Sequence, residues 1–337
     1  MIERGLTEDF ERAILRPTDE QGERMKNVAI TGIGGYLGGR LLYRLEQEDE
    51  VERIVGIDVK APSAASPKLK FYQQDVRKPF ADIFADNQID TALHLAFQVT
   101  PVHDETGSHS INIEGSQNFL EACRQASVSH LFYMSSHTTY GAHADNPESI
   151  KEDAPLRPTP DFLYPNDKAR VDLMFQDFMV NHLDTCVTIV RTVTVTGPHI
   201  VAGGLTVLFT PVMIRASGHD PLWQFIHEDD LVEVVTVLLK QKQKGIFNVA
   251  GEGGMRYTDM IKAVGKQSIA LPAGLLSRLT RLSWQLHLQS RSPGGVEILK
   301  YPIVVNTEKV RKATGFKFRY SGPEAFRAFL DTLRKMS

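Results

Sequence analysis

The run "NVAITGIGGYLGGRLLYRL", residues 27–45, constrains the chain most. A short apolar strand pattern meets Gly32, Gly35 and Gly38 at the spacing G-x-x-G-x-x-G and passes at once into a helical pattern. Bare backbone at those positions permits a tight strand-to-helix turn. It also lets a pyrophosphate reach the helix N-terminus, where amide donors and the macrodipole favour negative charge. A glycine motif alone is weak, but here Asp58 closes the second strand pattern, "VGIDVK", 20 residues after Gly38. A carboxylate at that strand end accepts hydrogen bonds from the adenosine ribose and repels a ribose phosphate, which favours NAD over NADP. Lys60 nearby keeps the phosphate form open. Asp75, in "QQDVRKP" after the third strand pattern, is either an adenine contact or a turn-forming aspartate.

Apolar runs recur as "RIVGI", "LKFYQQ", "TALHLA", "HLFYM" and "CVTIVR", with helix-like segments between several of them. Short apolar strands alternating with helices imply an α/β fold with a parallel sheet covered on both faces. The pattern loosens after "TGP" at 196–198 and returns once in "FIHEDDLVEVVTVLLK" with "GIFNVAG". Residues 26–197, with 224–250 returning, are therefore assigned to a nucleotide-binding domain. Residues 198–223 and 251–337 are assigned to a smaller C-terminal substrate lobe over the carboxyl ends of the strands. Residues 1–25 are assigned to an extension carrying one helical stretch around "EDFERAIL" and ending at Met25, which reads as a natural start.

A formal net charge of -3 and 42% hydrophobic residues describe a globular protein without nucleic acid as its default partner. Two widely spaced cysteines, Cys123 and Cys186, form neither a disulfide framework nor a zinc site, and no histidine cluster has metal spacing. No apolar run reaches the ~18 residues of a membrane span. The expectation is a cytoplasmic protein with no membrane partner and no metal.

In "DFLYPNDKARVD", residues 161–172, Tyr164 and Lys168 stand four apart at the start of a helical pattern and so share a face. A phenol titrates near ~10 when unperturbed, and an adjacent ammonium, aided by an oxidised nicotinamide, favours its phenolate. Tyr164 is then a candidate general base. Upstream, "FYMSSHTTYGA" closes the fifth strand pattern with Ser135 and Ser136, which emerge at the same carboxyl edge. A serine hydroxyl there can hold a substrate oxygen while the tyrosine exchanges its proton.

Taken in order, "TGIGGYLG", "GID", "DVR", "HLA", "INIEGSQNFLEAC", "MSSHTTYG", "YPNDK", "RTVTVTGP" and "FIHEDDL" resemble the extended short-chain dehydrogenase/reductases, the NAD-dependent epimerase/dehydratase family. The resemblance runs from about residue 26 to 250. The tail "LKYPIVVNTEKVRKATGFKFRYS" is similar to a divergent subgroup grouped with UDP-glucose 4-epimerases. It implies a Rossmann-like, doubly wound domain in which Gly32, Gly35 and Gly38 form the phosphate turn, with Tyr36 and Leu37 donating amides. Asp58 would hold the ribose, Asp75 and Val76 would flank the adenine, and Leu95, Ala96 and Phe97 would line the cofactor. Lys168 would contact the nicotinamide ribose, and Ser136, four residues before Tyr140, takes the catalytic serine's place.

Two departures bear on the substrate. Sugar 4,6-dehydratases of the family carry an Asp-Glu pair where this chain has His137 and Thr138, so dehydration is not expected. Thr194 stands where many nucleotide-sugar enzymes have asparagine on the diphosphate side. His137 is a second acid or base, or a loop histidine with a hydrogen-bonding role. His94 is expected to complete its strand end, and His227 with Asp229 and Asp230 to cap the following helix. The stripe "LLSRLTRLSWQLHLQSRS", with Arg278, Arg281 and Arg291, packs the small lobe, clamps a diphosphate or lies on a membrane, packing being the default. Helix 161–182 carries one apolar set around Tyr164 (Lys168, Val171, Phe175, Phe178, Met179) and another opposite (Phe162, Ala169, Leu173, Val180), which suggests a homodimer through that helix.

The expected activity is an NAD-dependent epimerase that transiently oxidises a hydroxyl, on a nucleotide sugar such as a UDP-hexose. The alternatives are a dehydrogenase or carbonyl reductase on a hydrophobic, steroid-like alcohol, consistent with Phe97 and the absence of asparagine at 194, and a non-catalytic NAD sensor.

Overall fold

The computed structural model describes residues 25–99, 104–200, 205, 208, 210–288 and 292–336. The expected extension up to residue 24 and Arg291 lie outside them. Met25 is buried in the core and belongs with the folded unit.

Seven parallel strands form the central sheet: β1 (Asn27–Thr31), β2 (Arg53–Asp58), β3 (Leu69–Gln73), β4 (Thr91–His94), β5 (His130–Ser136), β6 (Cys186–Thr192) and, far along the chain, Gly245–Val249 beside β6. The order is Gly245–Val249, β6, β5, β4, β1, β2, β3. The chain winds outward from β1 to β3, then returns to β4 and winds the other way. The crevice between the carboxyl ends of β1 and β4 is therefore the switch point where open α/β sheets bind ligands. Most of these strands are buried along their whole length, as the near-continuous apolar runs require.

Side chains alternate across the sheet into two cores. Val28, Ile30, Phe132 and Val190 face one core, with Leu41, Leu42 and Leu45 of α1 (Tyr36–Leu45). Ala29, Leu131, Tyr133 and Ile189 face the other, with Phe119 of the long helix Glu105–Gln125 and Val171, Phe175 and Met179 of the helix Leu163–Asn181. On Leu163–Asn181 the set around Tyr164 is buried as expected. Of the opposite set Ala169 is buried too, while Leu173 and Val180 are exposed.

The C-terminal elements build a separate core from Met213, Phe225, Tyr257, Met260, Phe326 and Phe329. Here the leucine stripe departs from expectation. In the helix Ala273–Gln285 only Leu276 is buried, against Ala216 and Val296, whereas Leu275, Leu279 and Leu282 face outward. One anchor suffices to seat this helix, so the other leucines do not pack the lobe.

Arg191 is the penultimate residue of β6, a strand with every residue buried. Its Nε and Nη2 donate to the two Asp172 carboxylate oxygens at 3.0 and 2.9 Å, and its Nη1 donates to Tyr140 Oη at 2.8 Å and the Glu152 carbonyl at 3.0 Å. Burial works against the guanidinium charge, but the Asp172 carboxylate overrides it and holds Arg191 above the ordinary range. Breaking such a pair leaves one charge buried and alone. Arg191→Met is expected to cost about 3–5 kcal/mol in urea unfolding, and Arg191→Met with Asp172→Leu to recover most of that loss.

Candidate active site

The turn after β1 is shaped by contacts that exclude side chains. Gly32 has φ +77°, and a Cβ there would come within 2.5 Å of the Ala96 amide nitrogen. The turn and the Leu95–Phe97 segment after β4 thus meet backbone to backbone across the switch point. Gly34, outside the G-x-x-G-x-x-G spacing, is as constrained: a Cβ there would overlap the Lys60 carbonyl. Its amide donates to Asp58 Oδ2 at 3.0 Å, while Lys60 N donates to Oδ1 at 3.0 Å. Asp58 therefore closes β2 against the glycine turn. Gly35 is the N-cap of α1, with no capping side chain and no acidic residue in the first turn. The dipole at that end is left for an anion. These features fit a dinucleotide: a side-chain-free turn, an uncapped helix start and a carboxylate at the neighbouring strand end.

Asp75 makes a turn. Its Oδ1 accepts from Arg77 N at 2.9 Å, and the Arg77 guanidinium also binds it, holding the carboxyl below its usual range. Val76 is buried against Gly115. A neighbouring support was not legible in the sequence. Asn112, fully buried, accepts from Gln98 N at 2.7 Å and donates to Asp167 Oδ2 at 2.9 Å. It ties the segment after Phe97 to the helix carrying Tyr164, and Asp167 also meets His109 Nδ1 at 2.6 Å.

Ser136, Tyr164 and Lys168 come together. The Ser136 hydroxyl lies close enough to the Tyr164 phenol to lower it, and it bonds Thr138 Oγ1 at 2.9 Å and accepts from Thr138 N at 3.2 Å. The Tyr164 ring stands edge-on to Phe97 with centroids 5.9 Å apart, and Lys168 Nζ lies 3.7 Å from the same Phe97 ring centroid. Lys168 Nζ donates to the Met134 carbonyl at 2.6 Å. The electrostatics differ from the expectation that the lysine acidifies the tyrosine. Desolvation raises the phenol above its usual range, and the nearby Ser136 hydroxyl lowers it. Desolvation also pulls the Lys168 ammonium down to about 7, against the pull of Asp172. Burial thus disfavours the charged form of both groups, and a further positive charge in the crevice is what would favour the phenolate.

Ser135, beside Ser136, points elsewhere and donates to Asp172 Oδ2 at 2.6 Å. His137 Nδ1 meets the Thr192 carbonyl at 3.1 Å, which requires a proton on Nδ1. Burial lowers it to about 4, so it is neutral and its Nε2 is an acceptor. His94 spans Thr31 Oγ1 at 2.8 Å and Ser116 Oγ at 2.9 Å, and burial lowers it to about 3. His227 caps its helix, accepting from Asp229 N. Asp230 instead accepts from the Arg319 and Tyr320 amides. Thr194 lies in the short strand Thr194–Thr196, paired with Phe225–His227. Both cysteines are buried and free, and no metal cluster occurs among the described residues.

The profile of the NAD dependent epimerase/dehydratase family matches residues 28–250. An uncharacterised Mycobacterium tuberculosis protein is 25% identical over 316 residues, covering 91% of this chain and 84% of its own. The UDP-glucose 4-epimerase of Lactobacillus helveticus is 32% identical over 137 residues, 39% of this chain and 41% of that protein. The Thermus thermophilus UDP-glucose 4-epimerase, solved with NAD, superposes with a TM-score of 0.71 at 19% identity, over 92% of this chain and all of that one. The chain belongs to the NAD-dependent epimerase/dehydratase family. It is an enzyme of the extended short-chain dehydrogenase/reductase type, and NAD is its cofactor.

Glu228, which nothing in the sequence singles out, is a buried acid at the start of the helix Glu228–Lys240. Oε1 meets His199 Nδ1 at 2.5 Å, while Oε2 is buried without a partner. Desolvation, reinforced by Asp229, raises it to about 7. A folded value above the unfolded one means the folded state binds the extra proton, so this contribution is full below the ordinary carboxyl range and is lost as pH rises through about 7. Glu228→Gln should therefore gain thermal stability relative to the parent between pH ~5 and ~8, read as the difference in melting temperature at each pH.

Proposed function

We propose that the chain is an epimerase working by transient oxidation of a substrate hydroxyl, on a nucleotide sugar of the UDP-hexose kind. The observation that carries this is Tyr164 and Lys168 meeting on the shared Phe97 ring, with the Ser136 hydroxyl beside the phenol. NAD, when bound, supplies reversible oxidation at the substrate carbon. Gly32, Gly35 and Gly38 would leave room for its pyrophosphate beside the Tyr36 and Leu37 amides. Asp58 would take the ribose, Asp75 and Val76 would flank the adenine, and Leu95, Ala96 and Phe97 would form the wall after β4. Tyr164 accepts the substrate hydroxyl proton and returns it, Ser136 orients that oxygen, and Lys168 steadies the nicotinamide ribose.

His137 offers a neutral Nε2 acceptor to a sugar hydroxyl rather than an acid. With Thr138 beside it, nothing at these two positions expels water, in keeping with epimerisation over dehydration. Thr194 would face the diphosphate. The division into a domain of 26–197 with 224–250 and a substrate lobe of 198–223 and 251–337 belongs to the same reading, as does a cytoplasmic setting. A homodimer would cover Leu173 and Val180 and the 290 Å³ groove lined by Leu120, Met174, Phe178 and His182. Phe97 at the pocket edge, with Thr194 for asparagine, favours a second reading, a dehydrogenase on a hydrophobic alcohol.

Purified protein separates the two. Retained NAD and interconversion of UDP-sugars without external NADH supports epimerisation, while stoichiometric NADH from an alcohol overturns it. Tyr164→Phe is expected to lower turnover by about 10²–10⁴-fold with NAD affinity nearly intact, measured by steady-state kinetics and titration. Asp58→Ala should narrow the preference for NAD over NADP, read from the two dissociation constants.

A further inference from the structure

We propose that the helix Ala273–Gln285 docks the protein on the surface of an anionic lipid bilayer. Leu275, Leu279, Leu282 and Leu286 are 46%, 48%, 53% and 57% exposed. Their spacing of four, three and four residues puts them within an arc of roughly 60° at 3.6 residues per turn. The helix has its own anchor, Leu276, on a different side, so the leucine stripe is a second apolar face that the fold leaves uncovered. Beyond the helix, Leu288 is 75% exposed. Single exposed leucines need no explanation, but an aligned row of four does.

Charge decides what kind of surface it meets. Residues 260–296 contain no aspartate or glutamate and five cations, Lys262, Lys266, Arg278, Arg281 and Arg291, in a chain whose net charge is -3. Arg278 borders the stripe, placed to reach headgroups while the leucines enter the acyl boundary. Arg281 donates to Asp161 at 2.9 Å, and both side chains are exposed. Lys262 is paired with exposed Asp259, and Lys266 is tied to the Leu208 and Thr210 carbonyls. A second copy of this helix would set arginine against arginine, with the acid bonded to the helix, Asp161, already engaged by Arg281. A uniformly anionic surface suits the segment better.

The same lobe exposes Val212, Ile214 and Ile269, with Ile214 and Ile269 opposite one another on paired strands. No described helix is long and apolar enough to cross a membrane, so this helix lies on the bilayer rather than through it. The expectation of no membrane partner is revised for this face alone.

The test is co-sedimentation of the full chain with phosphatidylcholine vesicles and with vesicles carrying about 30 mol % phosphatidylglycerol. The parent should pellet with the anionic vesicles, far less with the neutral ones, and lose binding as salt rises to about 0.5 M. Leu279→Ser with Leu282→Ser should weaken vesicle binding by about tenfold or more while the NAD dissociation constant and melting temperature stay within error. Arg278→Gln should weaken binding to anionic vesicles and leave the neutral ones unchanged. Failure of the parent to bind either vesicle, or equal binding by the double leucine variant, overturns the proposal. So does a parent that binds no vesicle but dissociates to smaller species on the leucine substitutions, which would make the stripe a contact between protein copies.

Discussion

The buried pair between Arg191 and Asp172 is the interaction on which the site's geometry rests. Arg191 stands near the carboxyl end of a fully buried strand, where an unpaired guanidinium would be prohibitive. Asp172 answers it from the helix Leu163–Asn181, and Gln176 and Ser135 complete the carboxylate's shell at 2.7 and 2.6 Å. This fixes the rotation of the helix about its own axis. Lys168 and Tyr164 precede Asp172 by one and two turns on the same face, so fixing Asp172 aims both at the carboxyl edge of the sheet. The bond from Ser135 fixes the end of β5 as well, and alternation then turns Ser136 the other way, toward Tyr164. On the far side Tyr140 passes the network to Asn248 Oδ1 at 2.8 Å, in the last sheet strand.

Desolvation is the common cause behind the charge state of the crevice. It raises Tyr164, lowers Lys168 to about 7 and leaves His94 and His137 neutral near pH 7. A site that disfavours charge makes any charge brought into it effective, because little solvent screens it. The uncapped helix start at Gly35 and the carboxylate of Asp58 lie together at the glycine turn, where positive and negative partial charges are presented in turn.

C-terminal elements also reach the start of the helix that carries Tyr164. Asp161, three residues before Tyr164, accepts at its carbonyl from Ser292 Oγ at 2.5 Å and Gly294 N at 3.1 Å, and at its carboxylate from Arg281. The segment that carries the exposed leucines therefore also touches the start of the helix bearing the candidate base. A surface contact there would bear on the helix entry, not on the sheet.

The sequence by itself determined the parallel sheet, the glycine turn and the shared helix face of Tyr164 and Lys168, because each is written in local spacing: apolar runs, glycines before a helix, and two residues four apart. It could not show Gly34 against Lys60, Asn112 against Asp167 or Arg191 against Asp172, since those partners lie far apart in the chain and nothing in local periodicity marks them. Nor could it tell that Leu276 alone would seat its helix, or that burial would pull the Lys168 ammonium down to about 7. Burial and long-range pairing decide those points, and both arise only when the sheet brings distant segments into one solvent-excluded place.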